Sequence, residues 1–399
     1  DNFYVLGEGG QVRVPNWPMP RLMNNHGNFI VSMGSVCRWL AEQAEELGVE
    51  IFPGMAASQV VWAKNEDGSD RVKGVVAGEM GLQSDGTPGP HYEPGMELHG
   101  KYVFIGEGVR GSLAKEIINR LNLSEGHEPQ KFGLGMKEIW EVDPSKFQKG
   151  RVVHTMGWPL GKNAGGGSFI YHYEDNLVMV GFVVHLNYEN PYLYPYMEFQ
   201  RFKHHPMVAE LLEGGKRIAY GARAITAGGI LSLPRTVFPG GALVGCEAGY
   251  LNASRIKGSH AAIKTGMLCA DAAFDALAAD RQHDELSAYP KAFEASWLHA
   301  ELSQSKNFKQ WFKKGRTVAT LMTGIEQWLL PKLGIRNAPW TIHRTQADHE
   351  CLEPADQHPK ITYPKPDGVL TFDRLSSVYL SSTNHDEDQP AHLTLKDAS

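Results

Sequence analysis

Between Ser35 and Leu47 apolar residues recur at Val36, Trp39, Leu40, Ala44 and Leu47, the step of a helix with one apolar face. Gly48 follows where a left-handed cap sits, and Val49-Glu50-Ile51 then predicts a strand. Val60-Val61-Trp62 and Val72 to Val76 flank the polar turn Asn65-Glu66-Asp67-Gly68, which predicts a hairpin over 59–78. Loop composition fills Gly81 to Pro94. A strand over Tyr102-Val103-Phe104-Ile105 runs into a glycine cluster and a helix from about Ser112. From 130 to 235 short apolar runs, such as Phe169-Ile170-Tyr171 and Leu177 to Val184, alternate with Gly, Pro and aromatic residues, which predicts mainly sheet with long loops. The strand Ala242-Leu243-Val244, a loop and a helix from about Gly258 to Leu277 come next, followed by helices over 285–330 and an irregular C-terminal stretch.

Composition narrows the class. A chain of 399 residues, 42% hydrophobic and 21% charged, is ordinary globular material for two or three domains rather than a disordered chain. A net charge of −6 provides no basic field, which excludes nucleic acid as the expected partner. Cys37, Cys246, Cys269 and Cys351 are far apart and form no C-x-x-C pair, so no metal or iron-sulfur site is expected from these residues alone. His204-His205, and His385 and His392 in an acidic stretch, are read as hydrogen-bonding groups rather than metal ligands. No apolar run reaches the length of a spanning helix, about 18 residues, and the start shows no signal or transit pattern, so any membrane contact is expected to be peripheral.

Two glycine-rich turns carry candidate chemistry. Gly106-Glu107-Gly108-Val109-Arg110-Gly111 satisfies G-x-G-x-x-G between a strand and a helix, where N–H groups at a helix N-terminus can receive a pyrophosphate. No strand ending in Asp or Glu follows at the right distance, which favours a secondary flavin motif, with Ser112 and Lys115 beside it. Gly240-Gly241-Ala242-Leu243-Val244-Gly245-Cys246-Glu247-Ala248-Gly249, then Asn252, Lys257, Gly258 and Ser259, has the order strand, turn, loop, helix. Flavin enzymes use that order to turn backbone N–H groups and a helix end toward the cofactor. An ordinary αβ turn is the competing reading. Near the C-terminal third Val318, Leu321, Met322, Ile325, Trp328 and Leu329 make one apolar face, with Lys309, Lys313, Lys314, Arg316, Lys332 and Arg336 around it. That pattern suits a helix lying on anionic lipid, with a soluble core helix as the alternative. At the other end Trp17 and Met19 stand among Pro15, Pro18 and Pro20, which forbid a helix interior.

The segments Met23 to Phe29, Val153 to Leu160, Gly166 to His172, Asn190-Pro191-Tyr192, Lys203 to Pro206, Gly214 to Arg223 and Asn384 to Leu395 resemble, in order, those of the electron transfer flavoprotein-ubiquinone oxidoreductase family. The resemblance implies an α/β fold: an incomplete FAD-binding domain of the hydroxylase or glutathione-reductase type, interleaved with a mixed sheet-and-helix quinone-binding domain. It implies that residues 27–60, 98–125 and 236–284 build the FAD domain and that 61–97, 126–235 and 285–345 build the quinone and membrane-surface domain. Residues 1–26 are then a membrane-facing loop, and 346–399 begin the iron-sulfur domain. It implies FAD contacts at Gly106, Glu107, Gly108, Gly245, Cys246, Glu247, Ala248, Gly249, Asn252 and Gly258, quinone contacts at Gly166 and Gly167, and membrane contacts at Phe3, Trp17, Met19, Leu321, Ile325 and Trp328. The implied partners are electron transfer flavoprotein, ubiquinone and an inner-membrane surface, with the protein peripheral or monotopic there. The family's [4Fe-4S] cluster is also implied, but its cysteine ligands and the family's first FAD fingerprint are not found, so the chain is expected to be a fragment. Two other functions remain open: a flavin reductase of isoprenoid double bonds, against which the Gly166 and Asn384 segments argue, and a truncated membrane-binding module without a cofactor.

Overall fold

The computed structural model describes residues 1–17, 19–20, 23–161, 164–391, 393 and 395. Expectations involving Pro18, the Arg316 side chain and His392 lie outside the described residues. The chain opens with β1 (Asn2–Leu6) and β2 (Gln11–Val14), then α1 (Met33–Glu46). The hairpin of β3 (Ala57–Lys64) and β4 (Asp70–Ala77) precedes β5 (Met80–Leu82), β6 (Pro88–Glu93), β7 (Met96–His99), β8 (Val103–Ile105) and α2 (Ser112–Arg120). Long strands β9 (Phe132–Glu141), β10 (Val152–Gly157), β11 (Gly166–Tyr173) and β12 (Leu177–His185) lead to α3 (Pro195–Lys203), α4 (Pro206–Leu212) and β13 (Lys216–Thr226). Then come β14 (Val237–Phe238), β15 (Gly241–Leu243), α5 (Ser259–Ala278), α6 (Ala288–Glu294), α7 (Trp297–Gln304), α8 (Phe308–Trp311) and α9 (Arg316–Gly324). A π-helical turn over Ile325–Leu329, α10 (Leu330–Lys332) and α11 (Arg374–Tyr379) complete the order.

The largest sheet runs β13-β9-β12-β11-β10-β1-β2, with β1 parallel to β10 and its other pairs antiparallel. Period-two alternation gives it two unlike faces. One face sends Met136, Trp140, Val153, Ile170, Val180, Phe182 and Val184 against Phe199, Phe202, Val208 and Leu212 of α3 and α4. A smaller sheet, β14-β15-β8, holds β15 parallel to β8 and shares a second core with α2, α5, α6 and α7 through Ile105, Leu113, Ile117, Leu243, Leu268, Tyr289 and Leu298.

Several expectations change. Residues 2–6 and 11–14 are sheet strands rather than a loop, because β1 has a backbone partner on each side. Val49-Glu50-Ile51 is not a strand: no neighbouring strand among the described residues offers it ladder partners. Within Gly81 to Pro94 the hairpin β5–β6 forms around Asp85-Gly86, where the Asp85 carboxylate accepts from Thr87 N at 2.9 Å. α3 and α4 begin at Pro195 and Pro206, prolines that serve as the first helical residue instead of breaking one. The 61–97 segment and residues 286–302 were expected with the quinone sheet, yet Val72, Leu286, Tyr289 and Phe293 bury their side chains in the core of the small sheet.

Candidate functional site

β8 and β15 run parallel and adjacent, with Leu243 opposite Ile105, so the turns that follow them emerge side by side at the same sheet edge. Ligands of open α/β sheets bind at such carboxyl ends. The two turns touch: Gly111 N donates to Glu247 Oε1 at 3.3 Å. At the start of α2, Leu113 N and Ala114 N donate to the Glu107 carboxylate at 3.3 and 2.9 Å. Two side-chain carboxylates therefore already occupy the anion-favouring end of α2. A pyrophosphate at Gly106–Gly111 would have to displace them, and the secondary-motif reading fits better.

The second turn is built differently. α5 starts at Gly258 with no side-chain cap, so the N–H groups of its first turn are left for a ligand or solvent. The loop before it is closed by paired backbone bonds between Asn252 and Lys257, at 3.1 and 3.4 Å. Asn252, expected at the cofactor, commits its side chain to that loop: Oδ1 accepts from Ser254 N and Arg255 N, and Nδ2 donates to Glu301 Oε1 at 3.0 Å. Ala248 is buried in the small-sheet core. Burial pushes the Cys246 thiol up. Burial, with Glu107 nearby, raises the Glu247 carboxyl to about 7, and its Oε2 has no partner among the described residues.

The other face of the large sheet carries Gly167, Phe169 and Tyr171 on β11, with Val183, Gly181 and Met179 opposite them on β12 and Gly135 on β9. The cofactor loop reaches this face, since Lys257 Nζ donates to Tyr171 Oη at 3.3 Å, and Tyr171 Oη lies 2.9 Å from His154 Nε2. Burial lowers Lys257 to about 8 and His154 to about 3. Gly167 lies four residues along the same strand face from Tyr171, on the order of 13 Å at the usual rise of a strand. At Gly166, φ is +146, and an added Cβ would overlap the Val183 carbonyl; at Gly167 it would overlap the Thr155 carbonyl. Both glycines thus let neighbouring strands close in, beyond any contact they make with a ligand. Beside them, at Ala164 and Gly165, a cavity of about 280 Å³ opens, lined also by His185, Asn187, Phe312, Lys313 and Arg344.

The expected membrane residues are divided. Trp17 is 77% exposed and meets Trp328 edge-on, ring centroids 6.5 Å apart, with Lys332 Nζ 3.6 Å from the Trp328 ring centre. Leu321 is 63% exposed, while Met19 and Ile325 are half-buried. Phe3 is the correction: it is 7% exposed and stacks on His154, because β1 is an interior strand of the sheet. Lys309, expected at lipid headgroups, is buried with Nζ on Asn187 Oδ1 at 3.2 Å, and burial lowers it to about 7. Glu107 was expected at the cofactor, whereas the partners Tyr171, His154 and His185 were not singled out as contacts. A lone polar residue at the end of an apolar strand, as at His185, is the one signal the sequence offered.

Comparison with known proteins places these elements. The family described as ETF-QO, ubiquinone-binding, matches residues 132–225, the span of β9 to β13. The family described as electron transfer flavoprotein-ubiquinone oxidoreductase, 4Fe-4S, matches residues 368–399. The electron transfer flavoprotein-ubiquinone oxidoreductase of Pseudomonas aeruginosa is 51% identical over 402 residues, covering 100% of this chain and 72% of that protein. Among solved structures, a geranylgeranyl bacteriochlorophyll reductase-like protein from Thermoplasma acidophilum superposes with a TM-score of 0.54 at 14% identity, covering 76% of this chain and 74% of that one. A flavin-dependent brominase reaches 0.52 at 14% identity, covering 84% and 75%. At that identity the likeness is one of fold alone, a mixed α/β fold of the flavin-binding kind.

Proposed function

The chain belongs to the electron transfer flavoprotein-ubiquinone oxidoreductase family, and from that premise we propose that it contributes the flavin and quinone surfaces of electron transfer from electron transfer flavoprotein to ubiquinone. The observation that carries this reading is the Lys257 to Tyr171 contact, which joins the cofactor loop to the face of β11 that bears Gly167. FAD, when bound, supplies the redox-active ring. The turns at Gly106–Gly111 and Gly245–Gly249, and the open N-terminus of α5 at Gly258, are the residues fitted to hold it. Lys257, kept partly desolvated, is a cation placed to favour negative charge at that edge.

Quinone reduction asks for a flat slot with close backbone approach and few charges. Gly166 and Gly167 offer that close backbone approach, and the sheet that bears them is proposed as the interleaved quinone portion of the fold. The 4Fe-4S match at 368–399 contains no cysteine, and the chain's four cysteines are widely separated in sequence, so these residues do not fit a cluster.

No helix among the described residues is long and apolar enough to cross a membrane. Trp17, Met19, Leu321, Ile325 and Trp328, with Lys332 beside them, are the surface proposed to rest on an inner membrane.

A photoreactive, short-tailed ubiquinone tests the reading. Label is expected on peptides spanning 164–189 and 308–315; label confined to α3 and α4, on the packed side of the sheet, would overturn it.

A further inference from the structure

We propose that Glu301 of α7 is the positioning residue of the flavin loop: its carboxylate clamps residues 252–260 and so holds the open N-terminus of α5 where the cofactor needs it. The inference rests on the flavin reading above and names the group, 41 to 49 residues further along the chain, that sets the geometry of that loop.

The loop has little of its own to hold it. Within it the chain closes on the Asn252–Lys257 backbone pair and on a turn in which Ile256 N donates to Ala253 O at 3.3 Å. Ile256 sits at φ +59, a conformation that a β-branched residue adopts only under constraint. The residue is 43% exposed, so burial of its side chain is not what holds it there.

Glu301 supplies the constraint. Its Oε1 accepts from Asn252 Nδ2 at 3.0 Å and lies 2.8 Å from His260 Nε2, and its Oε2 accepts from Arg255 Nη1 at 2.8 Å. Those three residues stand at the start, at the bend and just past the end of the loop, so one group fixes its whole course. His260 belongs to the first turn of α5. Its ring is drawn aside to α7, where it stacks on Trp297 with centroids 5.8 Å apart and planes at 17°. No side chain then caps the N–H groups of that turn, which stay available to a ligand. Glu301 itself is 9% exposed. Burial opposes its charge, but the bonds from His260 and Asn252 and the Arg255 charge outweigh burial and hold the carboxyl below its ordinary value. Removing one partner of a buried charge pair leaves the other uncompensated, so a single change at Glu301 is felt across the loop.

The test follows FAD binding to the purified chain by quenching of flavin fluorescence, beside trypsin cleavage after Arg255 and Lys257 in the flavin-free protein and its melting temperature. Glu301→Gln keeps the side-chain volume and puts an amino group where one oxygen met a donor. It is expected to weaken FAD binding about tenfold, the scale of one hydrogen bond, and to speed cleavage in the loop. Glu326 is the comparison: it is buried, and its Oε1 accepts from Asn307 Nδ2 and Trp311 Nε1, each at 3.0 Å, neither of them in the loop. Glu326→Gln is expected to lower melting at least as much, with FAD affinity and loop cleavage at their wild-type values. Arg255→Ala, which removes one arm of the clamp and leaves the carboxylate paired with Asn252 and His260, is expected to weaken FAD binding less than Glu301→Gln, with melting unchanged. Wild-type FAD affinity in both loop variants, or an equal loss in Glu326→Gln, would overturn the clamp and leave the flavin site standing. Absence of FAD binding by the wild type would remove the flavin reading itself.

Discussion

The two faces of the large sheet treat buried charge in opposite ways. On the packed face, Glu138 is fully buried, and both of its oxygens are occupied. Oε1 accepts from Lys203 at 3.0 Å and Arg217 at 3.1 Å, and Oε2 accepts from Lys203 at 2.9 Å and Trp140 at 2.8 Å. Arg217 continues to Ser377, which ties α11 to the sheet. On the face toward the cofactor loop, the Nδ1 atoms of His154 and His185 lack partners among the described residues, as does the Oε2 of Glu247 in that loop, whereas on the packed face the ion-paired Arg217 leaves only its Nε without one. The first arrangement holds a structure together, whereas the second leaves bonding capacity for something that is not the chain.

The comparison breaks first at Glu138. Glu138→Gln leaves two buried cations short of their anion and is expected to cost about 3–5 kcal/mol in chemical denaturation. Its neighbour Lys137 projects from the opposite face into solvent, and Lys137→Ala is expected to change stability by no more than about 0.5 kcal/mol. Equal effects at the two positions would erase the distinction between the faces.

Glu247 gives the next largest effect, and it depends on pH. Its carboxyl stands at about 7 when folded, against an ordinary 4.5, because of burial first and Glu107 second. Between those values the folded protein keeps a proton that the unfolded chain has released. Stability from this group is therefore full below about pH 4.5 and is lost as pH rises through about 7. Glu247→Gln has no such titration, so its stability should gain on the wild type between about pH 5 and about pH 8, by an amount on the order of 2 kcal/mol given about 1.4 kcal/mol per pKa unit, read as a rise in relative melting temperature. Parallel melting curves at both pH values would show that the carboxyl is not held neutral.

Much of the fold was legible in local pattern. The β3–β4 hairpin, β8 into α2, and β15 through the loop into α5 follow from alternation, turn residues and helical spacing, all of which act over a few residues. What escaped depends on partners far away in sequence. Phe3 looks like a surface aromatic until β10, about 150 residues on, pairs with its strand. Lys309 looks like a headgroup cation until Asn187 folds over it. The site divides along the same line. The glycine turns were visible, because glycine marks backbone geometry directly; Tyr171, His154 and His185 were not, because nothing within their own strands says which face will meet the cofactor loop or the cavity.

The smallest effect tests the join between the two halves. Tyr171 Oη accepts from Lys257 and lies within hydrogen-bond distance of His154, so Tyr171→Phe removes a polar link between loop and sheet while keeping the ring that packs on Phe169 at 4.9 Å. The lost hydrogen bonds are expected to cost about 1 kcal/mol. Lys257 then loses its acceptor while remaining buried, so its folded-state titration should fall below the present value of about 8. A lysine lowered by burial costs stability while it is charged, and costs more in Tyr171→Phe, so the deficit of that variant relative to wild type should narrow above about pH 8, where both lysines are neutral. NMR of the Lys257 ε-methylene would follow the titration directly. If it stays where it is in the wild type, the loop does not depend on the sheet for its charge, and the two faces are neighbours without being coupled.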